Sequence, residues 1–157
     1  MKTYTHSLLI LFVFGLAFVL PDTARASGYE TFRAPTDPDV VHAQKAIKDK
    51  NWDTAIELLN KAVVRDPKNA DIHNLLGFAE RNRGNLDAAF KHYEQALALD
   101  PRHRGAHEYI GEAYLMTGDL AKAEEHMAKL DKLCFFGCAE YRDLKAAIAK
   151  YKEQHPK

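Results

Sequence analysis

Two stretches of this chain line up at a single offset, and that offset limits the folds open to it. Asn51-Trp-Asp-Thr-Ala-Ile-Glu-Leu-Leu-Asn-Lys-Ala-Val-Val-Arg-Asp-Pro67 matches Asn85-Leu-Asp-Ala-Ala-Phe-Lys-His-Tyr-Glu-Gln-Ala-Leu-Ala-Leu-Asp-Pro101, every position displaced by 34. Trp52 falls on Leu86, Ala55 on Ala89, Leu59 on Tyr93 and Ala62 on Ala96. A second shift by 34 reaches Leu120, Ala123, Met127 and Leu130, with Phe135 where the proline would stand. Upstream, Leu76-Gly77 matches Ile110-Gly111, and Gly84-Asn85 matches Gly118-Asp119. The first copy is looser, carrying His42-Ala43 and Lys50-Asn51 at these places. A period of this length marks stacked supersecondary units, none of which buries its apolar face alone; terminal units are commonly atypical.

Within each unit the apolar spacing is helical. Ala55, Leu58, Leu59, Ala62 and Val63 lie three and four apart, as do Ala89, Phe90, Tyr93, Ala96 and Leu97, so each set forms one buried helix face. The pattern predicts helices at about 38–49, 53–65, 70–82, 86–98, 104–116 and 120–132. A seventh, at 138–154, follows from Ala139, Leu144, Ala147, Ile148 and Tyr151, and would cover the open apolar end of the stack. Gly77 and Gly111 fall inside helices, where glycine costs roughly 1 kcal/mol relative to alanine, so close approach by the paired helix is expected at both. Gly84 and Gly118 suit a left-handed turn, with Asn85 and Asp119 capping the helix that follows. Pro67 and Pro101 stop the second helix of their hairpins.

The start of the chain has another character. Lys2 precedes an uncharged, mostly apolar run from Leu8 to Leu20, and Ala24-Arg25-Ala26 has small residues where a signal peptidase reads, so residues 1–26 are expected to be a cleaved secretory signal. The alternative is a retained anchor, but a bilayer span usually needs roughly 17–25 residues, longer than this run. Residues 27–37 have little helical pattern and are expected to be a flexible lead-in to a single domain at 38–154. Losing Lys2, Arg25 and Asp22 with the signal leaves 20 Lys and Arg against 21 Asp and Glu, a net charge of −1. That balance provides no basic surface for a phosphate backbone, so no nucleic-acid partner is expected. The expected location is periplasmic, or secreted, with no stable membrane insertion after cleavage.

Leu76, Gly77, Gly84, Leu86, Ala89, Tyr93, Ala96 and Pro101, echoed by Ile110, Gly111, Tyr114, Gly118, Leu120, Ala123 and Met127, resemble the tetratricopeptide repeat family over about residues 36–137. Three repeats, at about 36–69, 70–103 and 104–137, precede the cap helix. The resemblance implies an all-α, right-handed superhelix of helix-turn-helix hairpins that captures peptides or partner helices on its concave side. Carried over position by position, it puts Gln44, Ile47 and Lys48, then Asn74, Phe78, Arg81 and Asn82, then Glu108, Glu112, Leu115 and Met116 in or near the groove. One version of the family clamps a terminal carboxylate with lysines, an arginine and asparagines. Lys48, Asn74 and Arg81 fit that version, but Gly105, Glu108 and Glu112 replace its third-repeat cations, so Lys or Arg on the partner suits this surface better. The segment 133–151 also resembles the ending of some small exported bacterial members. The bland alternatives are a solvated helix surface and contacts on the convex or edge faces.

Cys134 and Cys138 bracket Phe135-Phe136-Gly137 between the last repeat and the cap helix, where a tight apolar corner is expected. In an oxidising compartment the pair is expected to form a disulfide that aims the cap helix. Two other readings stay open: a reactive dithiol, although the spacing is not that of a C-x-x-C redox site, and a soft-metal site recruiting His126 or Met127.

Nothing else points to chemistry. His103, His107, Glu108 and Glu112 share a segment, but the spacing is not H-E-x-x-H. No Ser or Cys has a motif-defined base, and the glycines are explained by the repeat. The expectation is a non-enzymatic protein-binding scaffold or adaptor without a cofactor. The alternative is a permanent subunit of a larger periplasmic assembly, its groove filled by a neighbour or by residues 27–37, with a soft-metal or thiol-redox accessory protein as the minor one.

Overall fold

The computed structural model describes residues 37–156; the expected signal and the lead-in lie outside that range, apart from Asp37. Seven helices follow one another: α1 (Pro38–Lys48), α2 (Trp52–Arg65), α3 (Ala70–Arg83), α4 (Leu86–Leu99), α5 (Arg104–Met116), α6 (Leu120–Leu133) and α7 (Ala139–Gln154). Each boundary lies within one residue or so of its expected place, because caps and breakers set the ends locally. Asn51, Asn69, Asn85 and Asp119 accept a hydrogen bond from the backbone N–H three residues on, as Asp37 does from Asp39. His103 does the same through Nδ1 for Ala106.

Three hairpin turns share one construction. Asn51, Asn85 and Asp119 donate their N–H to the carbonyls of Ala46, Glu80 and Tyr114, closing the first helix with a left-handed residue just before. That residue is Gly84 (φ 96°) in the second repeat and Gly118 (φ 82°) in the third. In the first it is Lys50, at φ 56°, so the looser sequence keeps the turn at a steric cost.

Helices pair as α1 with α2, α3 with α4, and α5 with α6, and the pairs stack through α2–α3 and α4–α5. Ala55, Leu59 and Ala62 are fully buried, as are Ala89, Tyr93 and Ala96, while Leu58, Val63, Phe90 and Leu97 pack at the margins. Burial of side chains such as Leu59, Leu76, Tyr93 and Leu130 supplies about 1.5–3 kcal/mol each. At Gly77 a Cβ would stand 2.5 Å from Cε1 of Tyr93 on the paired helix, so only glycine fits. At Gly111 the nearest intruder is Leu144 of α7, at 2.7 Å, rather than the paired helix α6. Met127 replaces Tyr93 in this copy, and α7 packs more closely on α5 than α5 itself packs on α3. With Leu144 and Ile148 buried, α7 covers the end of the stack as expected.

A disulfide joins Cys134 and Cys138, whose Cα atoms lie 5.5 Å apart. A loop this short contributes about 2 kcal/mol or less through unfolded-state entropy. The corner is tight, with the Gly137 N–H donating to Cys134 O at 2.7 Å. It is not packed, however: Phe135 and Phe136 are 88% and 96% exposed, because the clipped turn leaves their rings no neighbouring helix face to cover them.

Candidate functional site

The first helices of the second and third repeats and the cap helix form one surface. α3 touches α5 and α5 touches α7, and all three run in the same direction because each is separated from the next by one antiparallel helix. Their C-terminal halves enclose a groove of about 860 Å³. Its walls are Arg81 and Asn82 of α3, Glu112, Leu115 and Met116 of α5, and Ala147, Lys150, Tyr151 and Gln154 of α7. Five residues expected in or near a groove are therefore brought together: Arg81, Asn82, Glu112, Leu115 and Met116. Gln44 and Lys48 are exposed on α1, and Asn74, Phe78 and Glu108 lie outside the lining.

Arg81 is committed internally. Only 9% exposed, it forms an ion pair and hydrogen bond with Glu112, and Nη1 also donates to Tyr109 O at 3.4 Å. Its guanidinium carbon sits 5.4 Å from the ring centroids of both Phe78 and Tyr109. Such a planar, stacked cation rivets α3 to α5 rather than waiting for a ligand. Asn82, though exposed, donates to Phe78 O in its own helix. Met116, 58% exposed, offers open apolar surface.

Glu108 is in the opposite situation. It is 9% exposed, and among the described residues no hydrogen bond or ion pair engages its carboxylate. Burial first, then the charges of Glu112, Asp143 and Glu140, push its pKa up to about 7, with Arg81 opposing. The α7 acids arrive there through the helix register. Gly111 meets Leu144, so one turn earlier on each parallel helix Glu108 faces Glu140. Arg104 approaches Glu140 only at 3.7 Å. Asn74, 8% exposed on α3, leaves Oδ1 without a partner, while Nδ2 lies 3.2 Å from where a Cβ on Gly105 would stand. Buried polar atoms are usually paired, so an orphan acceptor on α3 and an unpaired buried acid on α5 are both unusual.

The sequence reading missed a pair of histidine contacts that recur with the repeat. His73 and His92 meet Nδ1 to Nδ1 at 3.3 Å, and His107 and His126 at 2.9 Å. The outer nitrogens of His73 and His107 lie 3.1 and 3.0 Å from the carbonyls of Pro67 and Pro101. A carbonyl only accepts, so neutral His73 and His107 donate from Nε2 and accept at Nδ1 from His92 and His126. Each pair ties both helices of a repeat to the preceding turn. Burial depresses the pKa of His92, His107 and His126, the last to about 4. The signal was present in the offset of 34 between members of the two pairs. His103 and His107 thus serve different neighbours, since His103 caps α5 and contacts Asp71. Cys134 and Cys138 are joined as the expected disulfide, with a Glu140 carboxylate oxygen within 4.8 Å of both sulfurs.

Profiles described as tetratricopeptide repeat match residues 40–101 and 81–148, which together reach from Val40 to Ile148. No curated protein matches the sequence. Among solved structures, MamA of MSR-1 is similar at 28% identity with a TM-score of 0.56, over 60% of this chain and 55% of MamA. The chain thus spans little more than half of that protein. The first repeat domain of Spaghetti (RPAP3), bound to an HSP90 peptide, aligns at 21% identity and TM-score 0.61, over 71% of this chain and 90% of that one. The Yersinia enterocolitica type III secretion chaperone SycD, in complex with a peptide of the translocator YopD, aligns at 19% identity and TM-score 0.63, over 74% and 88%. These last two share its fold.

Proposed function

This chain belongs to the tetratricopeptide repeat family, and on that premise we propose that it is a non-catalytic adaptor that docks a segment of another protein between α3, α5 and α7. The observation that carries the proposal is the groove of about 860 Å³, which the side chains of the described residues leave open. Leu115 and Met116 offer apolar contact there, and Lys150, Tyr151 and Gln154 offer polar partners along the opposite wall. This mixture suits a peptide or helix, which needs both an apolar anchor and groups for its backbone. Spaghetti and SycD each hold a peptide in the structures compared, on the same fold. The acids on α5 and α7 suit a docked segment carrying Lys or Arg. The apolar run and small-residue cleavage site at the start of the chain support action in an exported compartment, periplasmic or secreted.

The test is to fill the groove without touching the core. Met116→Glu combined with Ala147→Glu places two charged side chains in the groove, one from a position 58% exposed and one from a partly buried position on its α7 wall. The variant should keep the wild-type circular dichroism and lose the polypeptide that co-purifies with the wild type from the exported fraction. Undiminished capture by the folded variant would overturn the groove as the docking site. A partner that stays stoichiometric through stringent washing would favour a permanent subunit over an adaptor that releases.

A further inference from the structure

We propose that the clipped corner between α6 and α7 is the surface through which two copies of this chain pair about a two-fold axis, Phe135 and Phe136 of one packing on the same residues of the other. The inference is independent of the docking groove and leaves it open in both copies.

The centre of the contact is apolar. Phe135 and Phe136 are 88% and 96% exposed, and their rings pack edge to face on each other with centroids 5.0 Å apart. Two phenylalanines so exposed present roughly 300–400 Å² of apolar surface. Single exposed apolar residues are ordinary, whereas a contiguous patch of this size is often a contact site. The patch is also held ready. The Cys134–Cys138 disulfide and the Gly137 turn, at φ 82°, fix the loop, so little conformational freedom remains to be lost on contact.

The charges around the patch select a second copy as its occupant. Within five residues of the two cysteines stand three cations, Lys129, Lys132 and Arg142, and three acids, Asp131, Glu140 and Asp143. Five of the six are exposed, and among the described residues the only ion pair in the set is Glu140 with Arg104, at 3.7 Å. An anionic bilayer calls for an excess of cations, which this rim lacks. A two-fold contact lays a surface against itself, so its rim needs both signs in balance for the acids of one copy to face the cations of the other. The formal net charge of zero adds no long-range repulsion between copies.

Area sets the strength of the pairing. Two such patches bury roughly 600–800 Å² between them, and the rims bring the total toward the lower end of specific interfaces, about 1,200 Å². The pair is therefore expected to be reversible, with a midpoint at about 10–100 µM. Lys150 and Tyr151 of the groove lie 11 and 12 residues beyond Ala139 on α7, or about 16–18 Å, so pairing at the corner presents two open grooves. A partner with two copies of the docked segment is then held at both.

Sedimentation velocity of the protein purified from the cells that make it, over concentrations about tenfold beyond that midpoint range on either side, reads the pairing directly. The expected result is a shift from one-chain to two-chain mass. Phe135→Ser with Phe136→Ser should weaken pairing by about tenfold or more with unchanged circular dichroism, while Met116→Glu with Ala147→Glu should leave it as it is. Opposite reversals test the rim. Lys132→Glu with Arg142→Glu, and Asp131→Lys with Asp143→Lys, should each reduce self-association several-fold, and mixing the two variants should form a dimer at least as tight as the wild type. A protein that keeps one-chain mass at the highest concentration overturns the proposal, whatever else binds the corner. Loss of pairing in the groove variant but not in the Phe variant overturns it equally. A chain that stays single yet sediments with phosphatidylglycerol vesicles through Phe135 and Phe136 assigns the corner to a lipid surface instead. Reversals without effect, or a mixture no tighter than either variant alone, contradict the two-fold arrangement.

Discussion

Replacing Glu108 by Gln should stabilise the protein at neutral and alkaline pH, which is unusual for the loss of a charged side chain. The carboxyl is raised from 4.5 in the unfolded chain to about 7 in the fold. Between those values the folded protein holds a proton that the unfolded chain has released, so stability falls as pH rises through this window. The full interval corresponds to roughly 3 kcal/mol at 1.36 kcal/mol per unit. Residual solvent contact and the buried amide of Gln reduce the expected gain to about 2 kcal/mol at pH 8, or about 6–10 °C in Tm for a domain of this size. Near pH 4 both states hold the proton, and the two proteins should unfold together. Urea titrations of wild type and variant at pH 4, 6 and 8 give the difference directly. Taking the difference removes the histidine pairs, which slope the other way. A variant no more stable than wild type at pH 8 would refute the claim that this acid is buried without a partner.

The other expectations come from the repeat. Gly77→Ala should cost about 1–3 kcal/mol in chemical denaturation despite the better helix propensity of alanine, because its Cβ would collide with the fully buried Tyr93 ring. Lys50→Gly should raise stability by about 0.5–1 kcal/mol, since Lys50 occupies the left-handed place that glycine fills in the next two repeats; unchanged thermal melts would argue against strain there. His126 is held neutral by burial, its pKa lowered from 6.5 to about 4, so its contribution is complete above pH 6.5 and is lost on acidification toward 4. His126→Gln should flatten that acid limb of the melting curve, and a wild-type slope in the variant would assign the acid sensitivity elsewhere.

Most of the architecture was legible because its causes are local and repeated. Asn51, Asn85 and Asp119 declare helix starts, Gly84 and Gly118 declare ends, and Ala55, Leu59 and Ala62 declare a buried face from spacing alone. The lysine at position 50 was readable as a departure from the pattern, while its positive φ needed coordinates. The site was less legible because it depends on register between helices. Arg81 and Glu112 are 31 residues apart and both suited a groove, yet packing of α3 on α5 turns them toward each other and removes them from ligand pairing. Gly111 implied a close neighbour, but no local rule said that the neighbour would be Leu144 of the cap helix. That same contact brings Glu140 to Glu108, so the acids of α7 entered the site only with the tertiary structure.

Site-specific photo-crosslinking tests the central claim, that partners dock between α3, α5 and α7, with the least intervention. A photoreactive phenylalanine analogue at Met116, 58% exposed in the groove, is compared with one at Val64, 81% exposed on α2 and outside it. The account predicts one discrete crosslinked partner from Met116, diminished by Met116→Glu with Ala147→Glu when the analogue stands instead at Lys150, and none from Val64. Crosslinking from Val64 with none from Met116 would contradict it.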